Sequence, residues 1–456
     1  MCALESTGPL AGRAIAVVGG ATAGAEVAGR LAEAGAYVAV FEQNPRPYGK
    51  IEDGLPRWHV ELRRKEYRAI DAKLSHPNVD FVPHTRIGRD LDFTDLTRGW
   101  GFHAVLLASG AWRDRPLPIE GADAYVGRGL VYQNPFIIWF NHAEDASYTG
   151  ERFELADDVL VVGGGLASID VVKVLMLETT REALRARGIE EPMLELEVKG
   201  IPKVLERHGL AFDDLGLRGC TLFYRRREED MPLVEAPEGA SAERLLKVEG
   251  ARRKLLEKAK EKYRFRVEAL AAPEGLIVEG GRLVGLRFRR TRMEGGRPVP
   301  TDETFEHRGS FVISSIGSIP EPIPGIDTKG ELHAFVDWEL GRLAAHPTVF
   351  SAGNVVTGKG NIVASRKHAG QIAEHVIASY LGVADGHEGE DAVLDPTRDA
   401  ADRVADGIAA QAAAQTPHSA DELRRLRARV CARQAEVGCT GGYRVWIERA
   451  TPPDLE

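Results

Sequence analysis

The dominant pattern along the chain is a series of short, uninterrupted apolar runs that stop at glycine. Ala14 to Gly20 (AIAVVGG) reads as a strand buried on both faces and running into a tight turn, and Ala23 to Ala34 as a small-residue helix ending at Gly35. A second strand, Tyr37 to Phe41, ends at Glu42. Strand, glycine turn, helix, strand and acid within about 30 residues is the opening of a doubly wound sheet. A further apolar strand, Val105 to Ser109, is stopped by Gly110.

The same grammar restarts at Val159 to Val162, followed by Gly163, Gly164 and Gly165 and a helix carrying Asp170, Val171 and Leu175. The next strand, Cys220 to Tyr224, comes late, which predicts a helical insertion over 178–216 containing segments such as Ile201 to Gly209. Ser241 is placed to cap a helix whose apolar positions include Leu245, Leu246, Leu255 and Leu256. Gly280-Gly281 predicts a hairpin, and Phe311 to Ile316 a buried strand ending at Gly317. Thr348 to Gly353 is another strand meeting glycine, and 361–381 a long helix, both returned to the first unit. After Gly382 an Ala-, Asp- and Arg-rich tail, helix-like near Asp421 and ending in Tyr443 and Trp446, is either a helical extension packed on the body or a flexible arm.

Length and charge narrow the function. At 456 residues the chain holds two or more domains, and 43% hydrophobic residues suffice for sizeable cores. A net charge of −9 argues against nucleic acid, whose phosphates need a basic excess. No apolar run reaches the roughly 20 residues of a membrane span, and the opening residues have no signal-type apolar core, so the expected compartment is the cytoplasm. Cys2, Cys220, Cys431 and Cys439 are scattered without a C-x-x-C pair or ligand spacing, so no metal, iron–sulfur or disulfide chemistry is expected of this chain.

The glycine loops carry the chemistry. The first, Gly19-Gly20-Ala21-Thr22-Ala23-Gly24, has alanine at the position where glycine lets backbone approach a pyrophosphate. Glu42, ending the next strand, is placed to accept ribose hydroxyls, so the loop reads as a dinucleotide site; the bland alternative is a tight strand–helix turn. In the second loop Gly163 and Gly165 are kept and Ser168 takes the place of the last glycine or alanine. Its next strand ends not in an acid but in Tyr224-Arg225-Arg226-Arg227, whose guanidinium groups suit a 2′-phosphate and favour NADPH over NADH. A solvated run paired with Glu228, Glu229 and Asp230 is the alternative.

Two dinucleotide loops with a final strand–helix segment returning after the second resemble the adrenodoxin reductase and glutamate synthase small-subunit group, the ferredoxin–NADP reductase-like flavoproteins, over roughly residues 12 to 382. Glu42-Gln43-Asn44-Pro45 with Tyr48-Gly49-Lys50 and Gly54-Leu55-Pro56 resembles the family segment that passes from the FAD ribose to the flavin. Ala108-Ser109-Gly110-Ala111 resembles its A-T-G-A turn, Gly165 with Ser168, Asp170 and Val171 its G-N-V-A-L-D-V, and Tyr224-Arg225-Arg226 with Met231-Pro232 is similar to the glutamate synthase side. Phe350-Ser351-Ala352-Gly353-Asn354 sits where the family usually has F-A-G-D, whose aspartate bonds the ribityl chain of FAD; Asn354 keeps an acceptor there but loses the charge.

The resemblance implies an α/β fold of two Rossmann-like domains, the second inserted in the first, with a helical C-terminal extension. It divides the chain into an FAD domain at 12–118 and 319–390, an NADP domain at 119–318 and the extension at 391–456. FAD contacts are expected from Gly19, Ala21, Gly24, Glu42, Gln43, Gly49, Lys50, Ser109, Gly110, Gly353 and Asn354, and from Gly360, Asn361 and Ile362 at a helix start beside the flavin pyrimidine. NADP contacts are expected from Gly163, Gly165, Ser168, Arg225, Arg226 and Gly317. His59, after Trp58, matches a flavin-proximal histidine and is the one catalytic candidate; a structural role is the alternative. The implied activity is an FAD-dependent NADPH oxidoreductase feeding a ferredoxin-like or iron–sulfur protein. Arg63-Arg64-Lys65 with Arg68, or Arg252-Arg253-Lys254 with Lys258, Lys260 and Lys262, could dock such a carrier, or be solvated helix faces. A small-molecule flavin oxidoreductase, its pocket shaped by 178–216 and by Tyr443 and Trp446, is a second reading, and an electron-distributing subunit with weakened nucleotide sites a third.

Overall fold

The computed structural model describes residues 7–146, 148–234, 236, 239–357, 371–384 and 390–452. The first unit opens with β1 (Ala14–Val18), α1 (Thr22–Glu33), β2 (Tyr37–Phe41), the single turn α2 (Lys50–Asp53), α3 (Val60–Leu74), β3 (Val79–Val82) and β4 (Ala104–Leu107). All residues of β1, β2 and β4 are buried, which is why they read as unbroken apolar runs: parallel strands are covered on both faces. The short β5 (Arg113–Asp114) leads out of the unit.

The second unit runs through β6 (Leu130–Tyr132), α4 (Gln133–His142), β7 (Leu160–Gly163), α5 (Leu166–Arg185), α6 (Met193–Lys199), α7 (Ile201–Arg207), β8 (Thr221–Tyr224), α8 (Ala242–Tyr263) and β9 (Arg266–Ala269). The helix after the second glycine loop extends into the stretch expected to be inserted, because its apolar positions stay buried as far as Leu184. Ser241 does cap α8, its hydroxyl accepting the Arg244 N–H at 3.3 Å. β10 (Ala271–Glu279), β11 (Arg282–Glu294) and β12 (Arg297–Arg308) then form an antiparallel sheet, so the Gly280-Gly281 hairpin is followed by a second one at Gly295-Gly296. β13 (Val312–Ser315) rejoins the parallel sheet, and β14 (Ser318–Ile319) pairs with β5 on the way back to the first unit.

Two small hairpins follow, β15 (Thr328–Lys329) with β16 (Leu332–His333) and β17 (Phe335–Asp337) with β18 (Arg342–Leu343), then β19 (Val349–Ser351), α9 (Asn354–Thr357) and α10 (Gln371–Tyr380). The parallel sheets have the orders β19-β4-β1-β2-β3 and β6-β13-β7-β8-β9. β19 therefore belongs to the first sheet, and the second unit interrupts the first.

The tail is helical and packed on the body. α11 (Asp395–Ala413) presents Ala401, Val404, Ala405, Ile408 and Ala412 to the first unit, where α1 offers Ala25, Ala28 and Ala32, and two small-residue faces can approach closely. Arg30 pairs with Asp402 and Asp406 across that contact. α12 (Ala420–Glu436) starts at a capping box of Ser419 and Glu422 and pairs Arg427 with Asp80 at 2.8 Å. α13 (Tyr443–Ala450) buries Tyr443 and Trp446.

Candidate functional site

A cleft of about 990 Å³ is lined from both parallel sheets at the carboxyl ends of their strands. Residues just beyond β1, β2, β4 and β19 form one side, and residues just beyond β6, β7, β8 and β13 the other. This is where open α/β sheets bind ligands, because the helix starts present unpaired N–H groups there.

On the first side the wall includes Gly19, Ala21, Glu42, Gln43, Gly49 and Lys50, with Ser109, Gly110, Gly353 and Asn354 behind the ends of β4 and β19. Gly19 has φ +97°, and a Cβ there would meet the Ala108 carbonyl oxygen at 2.5 Å. The extra methyl at Ala21 is relieved from across the turn, since a Cβ on Gly49, at φ +50°, would lie 2.9 Å from it. Gly24 does not line the cleft; a Cβ there would fall inside the Gly19 carbonyl oxygen, so its role is packing rather than the expected cofactor contact. Glu42 is buried, with Oε2 accepting from Gly20 N at 2.8 Å and Oε1 from Asn44 N at 2.9 Å. Burial pushes its carboxyl up to about 7, against those two hydrogen bonds.

On the second side Gly163 packs against the Ser315 carbonyl oxygen, where a Cβ would come within 2.5 Å, whereas Gly165 has nothing among the described residues within 4 Å of an added Cβ. Gly165 thus leaves space at the start of α5. Ser168 is buried; its hydroxyl accepts from Gly164 N and donates to Ser315 O, both at 3.0 Å, and so holds the loop shut where glycine would only allow close packing. Gly317 lines the cleft nearby.

The arginine run divides by partner. Arg227 pairs with Glu229, Asp230 and Glu249, as the solvated-run reading expects. Arg225 and Arg226 line the cleft. Among the described residues the exposed Arg225 guanidinium has no partner, while Arg226 has one hydrogen bond, Nη2 to Gly296 O at 3.1 Å, and a loose ion pair with Asp230 at 3.9 Å, with a buried Nε left unsatisfied.

Between the two sides sits a polar cluster that the sequence reading found only in part. Lys50 Nζ donates to Asn134 Oδ1 and Ser318 Oγ, both at 3.2 Å, while Asn134 Nδ2 donates to Trp112 O at 2.9 Å and Asn134 N to Asp114 at 3.3 Å. Burial drives both charged groups toward neutrality, Lys50 down to about 8 and Asp114 up to about 6. Gln133 and Asn134 were missed because no glycine marks the end of β6; two amides directly after an apolar strand were the only signal.

Several candidates lie elsewhere. His59 is buried and off the cleft wall: its Nε2 accepts from Trp58 Nε1 at 3.0 Å, and its ring stacks 4.4 Å from Tyr380, which does line the cleft. Tyr380 donates to Asp170 Oδ2 at 2.6 Å, and Asp170 Oδ1, at the same wall, is buried without a partner among the described residues. Gly360, Asn361 and Ile362 lie outside the described residues. Tyr443 and Trp446 do not line the cleft. They bond Asp71 and the Pro45 carbonyl at 2.6 Å each, and Asp71 in turn accepts from Tyr48 at 3.0 Å, so the tail braces the turn that carries Gly49 and Lys50 from behind. Nothing from 178–216 lines the cleft, although Leu394 and Thr397 at the start of the tail do. Of the basic runs, Arg63 is buried on Glu52 O, and Arg252, Arg253, Lys254, Lys260 and Lys262 are engaged within the chain.

No protein-family model matches the chain. It is 32% identical over 173 residues to the glutamate synthase [NADPH] small chain of Bacillus subtilis, which is 37% of this chain and 34% of that one. It is 27% identical over 171 residues to the mitochondrial NADPH:adrenodoxin oxidoreductase of Arabidopsis thaliana, again 37% and 34%, and 30% identical over 183 residues to cindoxin reductase of Citrobacter braakii, 40% and 38%. The matches thus span about a third of these relatives. The fold matches that of Mycobacterium tuberculosis FprA, solved in complex with NADPH, at a TM-score of 0.65 and 18% identity over 93% of this chain and 91% of that one. Among the described residues no helix is long and apolar enough to cross a membrane.

Proposed function

We propose that this chain, distantly homologous over part of its length to the adrenodoxin reductase and glutamate synthase small-chain NADPH oxidoreductases, is an FAD-dependent NADPH oxidoreductase that delivers electrons to a ferredoxin-like or iron–sulfur protein. The observation that carries the reading is the shared cleft: two glycine loops open into it, with a buried acid beside the first and two arginines with unused donors beside the second.

The residues present suit the two groups. Gly19, Ala21 and the start of α1 would hold the FAD pyrophosphate, Glu42 would accept its ribose hydroxyls, and Asn354 would offer a carbonyl to the ribityl chain. The open face of Gly165 and the start of α5 would take the NADPH pyrophosphate, with Arg225 and Arg226 on its 2′-phosphate. Bound FAD supplies the conversion of a two-electron donor into single electrons. The chain aligns the two dinucleotides across the seam, where Lys50, Asn134 and Ser318 tie the units together. The direct relatives named for protein acceptors, adrenodoxin and cindoxin, support a protein acceptor here.

The test is an absorbance spectrum of the purified protein followed by anaerobic addition of NADPH and, separately, NADH. The expected protein is yellow and bleached preferentially by NADPH. Arg225→Ala with Arg226→Ala should raise the NADPH KM by roughly 50-fold or more and leave the NADH KM nearly unchanged, from the loss of two charge-assisted contacts. A colourless protein that cannot be reconstituted with FAD, or equal effects on both nucleotides, refutes the corresponding half of the proposal.

A further inference from the structure

The antiparallel sheet β10–β12 is an addition to the parallel sheet, and its middle strand reaches the arginine pair in an unusual way. Along β11 the buried positions alternate at Leu286 and Phe288, which would make Arg290 the next inward residue. A register shift between Arg289 and Thr291 breaks the alternation: Arg290, paired with Glu268 and lying over the Phe305 ring, is only half-buried, Thr301 Oγ1 donates to the Arg290 carbonyl at 3.0 Å, and Thr291 becomes the next buried position, 6% exposed. Bulges of this kind re-aim a side chain.

The re-aimed hydroxyl is used on the nucleotide side. Thr291 Oγ1 donates to the Arg225 carbonyl at 2.8 Å, Thr291 N donates to the Leu270 carbonyl at 3.0 Å, and Leu270 N donates to the Arg226 carbonyl at 3.0 Å. Leu270 makes both of its bonds at φ +54°, a left-handed conformation that leucine seldom adopts. A strained residue persists where its surroundings over-determine it, often beside a functional site. The turn between β11 and β12 adds the fourth tie, Gly296 O accepting from Arg226 Nη2 at 3.1 Å. The backbones of both arginines are thus fixed by one closed set of hydrogen bonds from outside the parallel sheet.

We infer that Thr291 is a positioning residue for nucleotide specificity, its hydroxyl fixing the Arg225–Arg226 backbone so that both guanidinium groups meet a ribose 2′-phosphate. The inference rests on the proposed role of the arginine pair. A bidentate guanidinium contact depends on orientation, so loosening its backbone should weaken phosphate recognition while sparing contacts to the rest of the nucleotide.

The measurement is isothermal titration calorimetry of the purified full chain with adenosine 2′,5′-bisphosphate and with ADP. Thr291→Val keeps the shape and removes the hydroxyl; it should weaken the bisphosphate by roughly five- to twentyfold and ADP by less than about twofold, and Thr291→Ser should restore binding. Thr291→Ala tests the same loss should the valine variant fold poorly, which would reduce both ligands together. Equal weakening of both ligands in every hydroxyl-free variant, or no change in either, overturns the inference. Failure of the underlying reading looks different: Arg225→Ala with Arg226→Ala would then not discriminate between the two ligands in the first place.

Discussion

The two glycine loops depart from the common fingerprint at different positions, and the chain compensates each departure differently. At the first, Ala21 carries a methyl where close approach to a pyrophosphate favours glycine, and the space is returned by Gly49 from a separate turn. At the second, Ser168 stands where a glycine or alanine would pack, and the compensation is internal: its hydroxyl satisfies Gly164 N and Ser315 O. The charges differ as well. The first loop has a buried carboxyl already bonded to the loop backbone, and the second has arginines whose donors are left over. A fingerprint is therefore a set of spatial requirements, and residues distant in sequence can meet them.

The largest expected effect separates glycines that pack from glycines that leave room. Gly24→Ala forces a methyl into the Gly19 carbonyl and should cost about 3 kcal/mol, seen as a fall in melting temperature and loss of bound flavin. Gly165→Ala meets nothing among the described residues, so melting should hold while NADPH affinity falls by about tenfold. Unchanged NADPH affinity in that variant would mean that the open space is not a pyrophosphate seat, and the two loops would no longer be equivalent.

How far the sequence revealed this arrangement depends on what each part buries. The parallel strands were legible because burial on both faces demands continuous apolar runs, and both glycine loops followed from them. β12 was not: RPVPTDETFEHR is largely exposed and carries little apolar pattern, although Gly295-Gly296 repeats the turn signal of Gly280-Gly281. The alanine-rich tail was ambiguous because small residues suit both a solvated arm and a close helix contact, and only the partner face on α1 decides. Within the site, the Thr291 clamp was invisible because a one-residue shift of register inverts the facing of a strand without altering composition. Lys50 was identified from its neighbours, but its partners Asn134 and Ser318 lie far away in sequence.

A smaller effect sharpens the contrast between the carboxyl and the arginines. With its carboxyl at about 7, Glu42 loses its charge just below neutrality, whereas guanidinium stays charged throughout. Ribose hydroxyls donate to the ionised form, so FAD affinity of the apoprotein should be full above pH 7 and fall below it, by at most about tenfold per pH unit. NADP⁺ affinity should show no such slope from the arginines. Fluorescence titrations with FAD at pH 6 and 8 measure it, and Glu42→Gln should flatten the profile; a flat profile in the unaltered protein would remove Glu42 from the ribose.

The smallest effect lies at the seam where the loops are brought to one cleft. His142 of α4 is held at both ring nitrogens, Nε2 by Asp53 of α2 at 2.9 Å and Nδ1 by Asp145 at 2.7 Å, with the Tyr148 ring 6.3 Å away. Both nitrogens can donate only in the imidazolium form. Burial alone would lower its pKa, but the hydrogen bonds and charges of the two aspartates outweigh it and raise it. A raised folded-state value means that the stabilisation is fully present below the ordinary histidine value of about 6.5 and is lost as pH rises through the folded value. The melting temperature should therefore decline modestly above neutrality, and His142→Gln should abolish that part of the decline. Because Asp53 belongs to the first unit and His142 to the second, the loss acts on their relative placement, so flavin reduction by NADPH should slow more than binding of either dinucleotide weakens. If binding and reduction fell in parallel, the histidine would be stabilising one unit rather than the alignment of the two.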